Sequence, residues 1–180
     1  KQVGDLHVQA DLARTIQYMA DEETAARARG GRVAGLEAAR AAFYTGDIGR
    51  AIANYHAENE GWLTAADLAN YRSPVEKPLS VDFHGHRGYS CDAWCQGPVL
   101  LQMLRLLEGV DLKAMGHNSA DYIHTLAEAM KLAFADREKF YGDPDHVAVP
   151  MERLLSAAYA AERRRQIDPA RAWPEMAPPG

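Results

Sequence analysis

Apolar residues recur every three to four positions along most of the chain, which is the spacing of an amphipathic helix. In the N-terminal part this spacing predicts three helices, from Asp11 to about Ala26, from about Val33 to Tyr44 and from Asp47 to about Glu58. Gly30 and Gly31 stand between the first two helices, and glycine pairs commonly interrupt a helix. The first part of the chain is therefore predicted to be helical, with a break at these glycines.

A short helix and a β-hairpin are predicted next. Thr64 and Asp67 have the spacing of a capping box, in which a hydroxyl and a carboxylate satisfy free backbone donors at a helix start. We expect a short helix from this point through Tyr71. After two prolines, the pattern predicts two strands, Leu79–Phe83 and His86–Cys91, joined by a tight turn that contains a glycine.

Three further helices are predicted in the second half of the chain. The first begins at Pro98 and carries leucine or methionine on almost all sides, so we expect it to be buried. The next is capped by Asn118 or Ser119, has one broad apolar face and ends at Gly142. The last helix begins after Pro150.

The C-terminal segment, residues 168–180, contains four prolines and no periodic pattern, which predicts an extended or mobile tail. Residues 1–167 contain no internal repeat and no sharp change of composition, so we treat them as one helical unit. The predicted fold class is mainly α with one small antiparallel β-hairpin.

Composition and charge narrow the range of partners. The chain has 47% hydrophobic and 25% charged residues, as in an ordinary globular protein, and a net charge of -5 that would repel a phosphate backbone. The apolar run Pro98–Leu101, like every other apolar run in the chain, is far too short to span a bilayer. We therefore expect neither nucleic acid nor a membrane as a partner.

Two pairs of residues with metal or redox chemistry have simpler interpretations. His84 and His86 alternate in sequence and would share one face of a strand, but no clustered acid or cysteine completes a ligand set, so we favour a polar hairpin face. Cys91 and Cys95 are separated by three residues, one more than in the thioredoxin-type motif, and have no basic neighbour. We interpret them as small buried thiols.

Two pairs of carboxylates are also interpreted as structural. Glu128 and Asp136 lie two turns apart on one predicted helix near basic residues, and surface ion pairs at helical spacing account for them. Asp143 and Asp145 follow a helix stop and suit a turn, because a calcium loop would need further oxygen ligands. No complete active site, metal motif or phosphate loop is apparent, and we expect no cofactor.

Three collinear stretches resemble gamma-glutamyltransferases. They are Asp11–Thr15, Ala42–Gly46, and above all Gly116–His124, whose resemblance continues through Ala127-Glu128-Ala129 to Asp145. The resemblance implies a segment of an αββα N-terminal nucleophile hydrolase, namely the closing part of its large subunit. It also implies that residues 168–180 lead towards the self-cleavage point of a precursor.

The resemblance implies that the chemistry resides elsewhere in the parent protein. In this family the new N-terminal Thr of the small subunit attacks a gamma-glutamyl amide and uses its own amino group as base. Lys1 of this chain cannot be such a nucleophile. We therefore expect no catalytic residue here, an inactive isolated chain, and two partners: the small subunit and the upstream half of the large subunit. Exposed apolar faces could alternatively form a homo-oligomer.

One segment departs from the family pattern. Classical transferases carry Pro-Pro-Pro-Ser-Ser-Gly-Gly before the buried helix, whereas this chain has Cys91-Asp92-Ala93-Trp94-Cys95-Gln96-Gly97. Trp94, Cys95 and Gln96 are therefore our candidates for substrate contact. The departure leaves open a related amidohydrolase or acylase, and a free-standing helical binding module is the alternative from another class.

Overall fold

The computed structural model describes residues 2–180, so Lys1, which the sequence excludes as a nucleophile, lies outside the described residues. The chain divides after Pro74 into two compact units, residues 1–74 and 75–180, whereas the sequence pattern predicted a boundary only at residue 168. The elements are α1 (Ala10–Tyr44), α2 (Asp47–Glu58), α3 (Ala65–Asn70), β1 (Leu79–Phe83), β2 (His86–Ser90), α4 (Gly97–Leu107), α5 (Leu112–Met115), α6 (Ala120–Phe140), α7 (Met151–Leu154) and α8 (Ala157–Arg164). None of these helices is long and apolar enough to cross a membrane.

The first unit is a set of packed helices, and α1 is broken in its middle. Gly31 has φ 79° and ψ -172°, a backbone conformation outside the helical region. The chain folds back there, as the contact between Gly35 and Glu23 shows: a Cβ on Gly35 would lie 2.9 Å from the carbonyl oxygen of Glu23, 12 residues earlier. The two helices predicted on either side of the glycine pair are thus confirmed.

The capping box predicted at α3 is present in full. The Asp67 amide donates to the Thr64 hydroxyl over 3.2 Å, and the Thr64 amide donates to the Asp67 carboxylate over 2.8 Å. The short helix ends at Asn70, and Tyr71 stacks on Tyr44 with a ring separation of 5.6 Å. This contact ties the end of α3 to the end of α1 within the first unit.

The second unit begins with the predicted hairpin. Phe83 pairs with His86, and the two residues between them, His84 and Gly85, have φ of 46° and 80°. Two consecutive positive φ values match a type I′ turn, whose twist suits antiparallel strands. His84 therefore lies in the turn, and the expectation that His84 and His86 share one strand face is wrong.

The core of the second unit forms where α4 packs on α6 and α8. Leu101, Leu132 and Leu154 are each at most 1% exposed, and Leu106 is 4% exposed. The predicted burial of the α4 helix is confirmed for most of its circumference. Its outward side carries Leu100, which is 56% exposed.

Two features near the C-terminus differ from the sequence prediction. The single helix expected after Pro150 is divided into α7 and α8, because the Ser156 hydroxyl accepts a hydrogen bond from the Tyr159 amide over 3.2 Å and caps a new helix. The short helix α5 was not predicted. It is capped by Asp111, whose carboxylate accepts from the Ala114 amide over 3.0 Å.

Adjacent leucines on α4 provide a matched test of this packing. Leu101→Ala removes a fully buried side chain, so we expect the free energy of unfolding to fall by about 2–5 kcal/mol. Leu100→Ala, one residue away on the exposed side, is expected to change it by less than about 0.5 kcal/mol. Urea unfolding of both variants measures the difference, and equal effects would contradict the described orientation of α4.

Candidate functional site

The three candidates for substrate contact lie together in the turn between β2 and α4. They line one groove of about 470 Å³ that also includes the C-terminal part of α6. Its lining consists of Ala93, Trp94, Cys95, Gln96, Arg137, Glu138, Tyr141 and Gly142. The structure therefore brings the three side chains to one place, although a substrate role for them remains a prediction.

Hydrogen bonds hold this turn in a defined conformation. The Cys95 amide donates to the Asp92 carbonyl over 3.2 Å, and the Asp92 carboxylate accepts from the Ala93 amide over 2.6 Å. The Trp94 indole N–H donates to the Glu76 carboxylate over 2.9 Å, although the side chain is 56% exposed. The indole is thus a positioned, accessible surface at the edge of the groove.

The groove contains polar groups but no pair of nucleophile and base among its lining residues. Arg137 pairs with the neighbouring Glu138. The Tyr141 hydroxyl donates inward to Gln102 over 2.6 Å, and burial, with a smaller contribution from Asp136, raises the pKa of Tyr141. Within residues 2–180, no group of three or more His, Cys, Asp or Glu is placed to hold a metal ion.

The interpretation of Asp136 as a surface ion-pairing residue is wrong. Its carboxylate is 1% exposed and pairs over 3.1 Å with Arg163, which is 2% exposed. It also accepts hydrogen bonds from the Tyr159 hydroxyl over 2.8 Å and the Gln102 amide over 3.0 Å. The partners come from α4 and α8, which spacing along α6 alone could not indicate.

Glu128 is likewise buried, and it anchors the C-terminal segment. Lys131 donates to it over 2.7 Å, as helical spacing suggested, but the carboxylate also accepts from the Trp173 amide over 3.1 Å. Lys131 in turn donates to the Trp173 carbonyl over 2.7 Å. One ion pair on α6, with a buried carboxylate, therefore satisfies both backbone groups of a single residue in the tail.

The tail lacks helices and strands, as predicted, yet it is docked on the second unit. Trp173 packs against the main core cluster, in which Ala177 is 3% exposed. The Gly180 amide donates to Asp136 over 2.9 Å. Glu128 and Asp136 thus hold the tail at two points. Leu132, midway between them at helical spacing, was the sequence signal that this face of α6 is buried.

Comparison with proteins of known structure shows which class this arrangement defines. The chain is similar to Helicobacter pylori gamma-glutamyltranspeptidase, with 33% identity and a TM-score of 0.76 over 98% of this chain and 47% of that one. The fold is therefore that of a segment of an N-terminal nucleophile hydrolase, as the sequence predicted. The chain belongs to the gamma-glutamyltranspeptidase family, whose sequence model matches residues 1–179.

Sequence relatives include both glutathione hydrolases and acylases. The acylase ACY 1 proenzyme of Pseudomonas sp. strain SE83 is 42% identical over 135 residues, which is 73% of this chain. The glutathione hydrolase proenzyme of Escherichia coli strain K12 is 37% identical over 172 residues, or 95% of this chain. The matched region spans only 24% and 27% of those two relatives, about a quarter of each.

Hydrogen exchange tests the anchoring of the tail by Glu128. Glu128→Gln replaces a charged acceptor with a neutral one, so we expect the Trp173 amide to exchange about tenfold faster, equivalent to roughly 1.4 kcal/mol. The matched control is Glu138→Gln, ten residues along the same helix, where the side chain is 61% exposed. An unchanged Trp173 exchange rate in Glu128→Gln would contradict the anchor.

The same carboxylate predicts a pH dependence of stability. Burial raises the pKa of Glu128, but hydrogen bonds from Lys131 and the Trp173 amide outweigh it, so the net pKa lies below the ordinary 4.5. A lowered folded-state pKa contributes stability above the unfolded-state value, and this is lost as pH falls through the folded-state value. We expect the free energy of unfolding of the wild type to exceed that of Glu128→Gln by roughly 1–3 kcal/mol at neutral pH. This difference is expected to shrink below pH 4.5. Urea unfolding across this range measures it; a difference that grows in acid contradicts the assignment.

Proposed function

We propose that the parent protein of this chain hydrolyses or transfers the acyl group of a gamma-glutamyl amide, and that residues 1–180 supply scaffold for that reaction. The observation that carries the proposal is the family match, which extends over residues 1–179. The relatives are proenzymes, which fits a nucleophile that is released elsewhere in the polypeptide.

The proposed reaction needs only groups that the family chemistry supplies outside this segment. An N-terminal Thr hydroxyl would attack the amide carbonyl, pass its proton to its own α-amine, and release the leaving amine after protonation. Water would complete hydrolysis of the resulting ester, or a second amine would complete transfer. No residue of this chain is assigned to either step.

The scaffold role requires that this chain packs against other parts of the parent protein. Exposed apolar side chains of the first unit are an argument for such packing. Trp62 is 93% exposed and Ile16 is 58% exposed, both in the first unit. A groove of about 710 Å³ between α1 and α2 is lined mainly by apolar groups, among them Phe43 and Ile52. Because this chain spans about a quarter of its relatives, we assign this surface to the remaining large-subunit and small-subunit parts of the parent protein rather than to a second copy.

An acylase is the second candidate function, and the turn between β2 and α4 favours it. Its sequence departs from the classical transferase loop, and an acylase proenzyme is among the relatives with 42% identity. In either case we propose that Trp94, Cys95 and Gln96 face the substrate, since they line the same groove. Their indole, thiol and amide groups could contact an acyl or amine portion without taking part in bond cleavage.

A pair of matched substrates separates the two candidates. Gamma-glutamyl-4-nitroanilide and glutaryl-4-nitroanilide share the scissile amide and the carboxylate and differ only in the α-amino group. For the gamma-glutamyl enzyme we expect the mature parent protein to have a kcat/KM at least about tenfold higher for the first compound, because buried groups that bind the ammonium would be left unpaired by the second. Nitroaniline release at steady state measures both.

Each outcome of this comparison has a defined meaning. Preference for the glutaryl compound overturns the gamma-glutamyl assignment in favour of the acylase, and cleavage of neither compound overturns both. The isolated 180-residue chain serves as the control and should release no nitroaniline. Turnover by that chain alone would contradict the scaffold role.

A further inference from the structure

Cys91 directly precedes one tight turn, and Cys95 ends it. The hydrogen bond from the Cys95 amide to the Asp92 carbonyl, 3.2 Å long, closes a four-residue turn directly after Cys91. Cys91 is exposed and Cys95 is half-buried, so the interpretation of both as buried thiols is wrong for Cys91. The turn therefore offers one thiol to solvent and keeps the other behind it.

Gly97 lies beside both sulfur atoms. Its amide donates to the Cys95 sulfur over 3.2 Å, and a Cβ added at Gly97 would lie 3.2 Å from the Cys91 sulfur. Such a Cβ would also lie 1.7 Å from the Ser90 hydroxyl, so a larger residue at this position would require the Ser90 side chain to move. The missing side chain leaves room for both sulfurs beside one backbone residue.

The two thiols also interact directly. A hydrogen bond from Cys95 is the largest cause lowering the pKa of Cys91, whereas burial, followed by that same bond, raises the pKa of Cys95. These directions assign distinct parts in thiol exchange, because the thiolate is the attacking species. Cys91 is the accessible thiol that ionises first, and Cys95 is the neighbour that resolves.

We propose that Cys91 and Cys95 form a reversible intramolecular disulfide by exchange with a low-molecular-weight disulfide. The Cys91 thiolate attacks one sulfur of that compound, which breaks its S–S bond, forms a mixed disulfide and releases the first small thiol. The Cys95 thiolate then displaces the second small thiol and forms the protein S–S bond. Two protein thiols are oxidised, one small disulfide is reduced to two thiols, and the protons pass through solvent to the departing thiolates.

The modification would act on the groove that the turn lines. Cys95 lines the groove together with Trp94 and Gln96. The same groove is lined by Arg137 of α6 and by Tyr141, which directly follows α6. A disulfide between Cys91 and Cys95 fixes the backbone of the three intervening residues and removes the Cys95 thiol from the groove. The inference is a redox-sensitive surface site, and it does not depend on which amide the parent protein cleaves.

Peptide mapping of the parent protein tests the disulfide directly. Trypsin releases both cysteines in one peptide, Gly88–Arg105, which contains no other cysteine and no internal Lys or Arg. Folded protein is equilibrated with mixtures of reduced and oxidised glutathione, quenched with acid, alkylated and digested. Under oxidising mixtures we expect this peptide to carry no alkyl group and to be two hydrogens lighter than its dithiol form. Dithiothreitol added before alkylation should give the peptide with both cysteines alkylated.

The fold should favour the bond beyond what sequence proximity provides. We expect the equilibrium constant for formation of this disulfide with glutathione to be about tenfold larger in folded than in urea-denatured protein. This corresponds to a reduction potential lower by about 30 mV. Cys95→Ser should accumulate a glutathione adduct on Cys91, and Cys91→Ser should form its adduct several times more slowly. Equal constants in folded and denatured protein, or two independently alkylated cysteines under oxidising mixtures, would overturn the proposal. Faster adduct formation on Cys95 would overturn the order of attack.

Discussion

The second unit depends on one buried carboxylate. Asp136 and Arg163 form an ion pair with almost no access to water, and removing one partner of such a pair leaves an uncompensated buried charge that typically costs about 3–5 kcal/mol. One oxygen of Asp136 accepts from Arg163 and from Gly180, and the other accepts from α4 and α8. The charge is tolerated because each oxygen has two donors, and those donors join three segments, α4, α8 and the C-terminal tail, to α6.

Because Asp136 lies on α6, this helix positions both the docked C-terminal tail and the groove beside the β2–α4 turn. One side of the helix carries Glu128 and Asp136 and binds the tail, while Arg137 and the following Tyr141 border the groove beside the β2–α4 turn. The Tyr141 hydroxyl donates to Gln102, which itself donates to Asp136. A continuous set of hydrogen bonds therefore connects the groove wall to the carboxylate that binds the tail, and both are positioned by the same buried network.

Most local elements were predictable because their signals are local. The glycine pair broke α1, Thr64 and Asp67 capped α3, and the hairpin formed around Gly85. The tail anchors were not predictable from the same kind of pattern. Helical spacing correctly paired Glu128 with Lys131, but the additional partner at residue 173 is 45 positions away. A carboxylate at helical spacing looks the same in sequence whether water or a distant backbone amide satisfies it.

The candidate groove shows the same division between composition and geometry. Departure from the family loop indicated where Trp94, Cys95 and Gln96 could matter, but only the fold places Arg137 opposite them. The family match covers the scaffold and the turn alike, so it cannot by itself distinguish a transferase from an acylase. If the turn faces the substrate, specificity depends on the few side chains that differ there, while the helices that position them stay common to both classes. The scaffold then explains membership of the family, and the turn explains how one fold serves amides with different acyl groups.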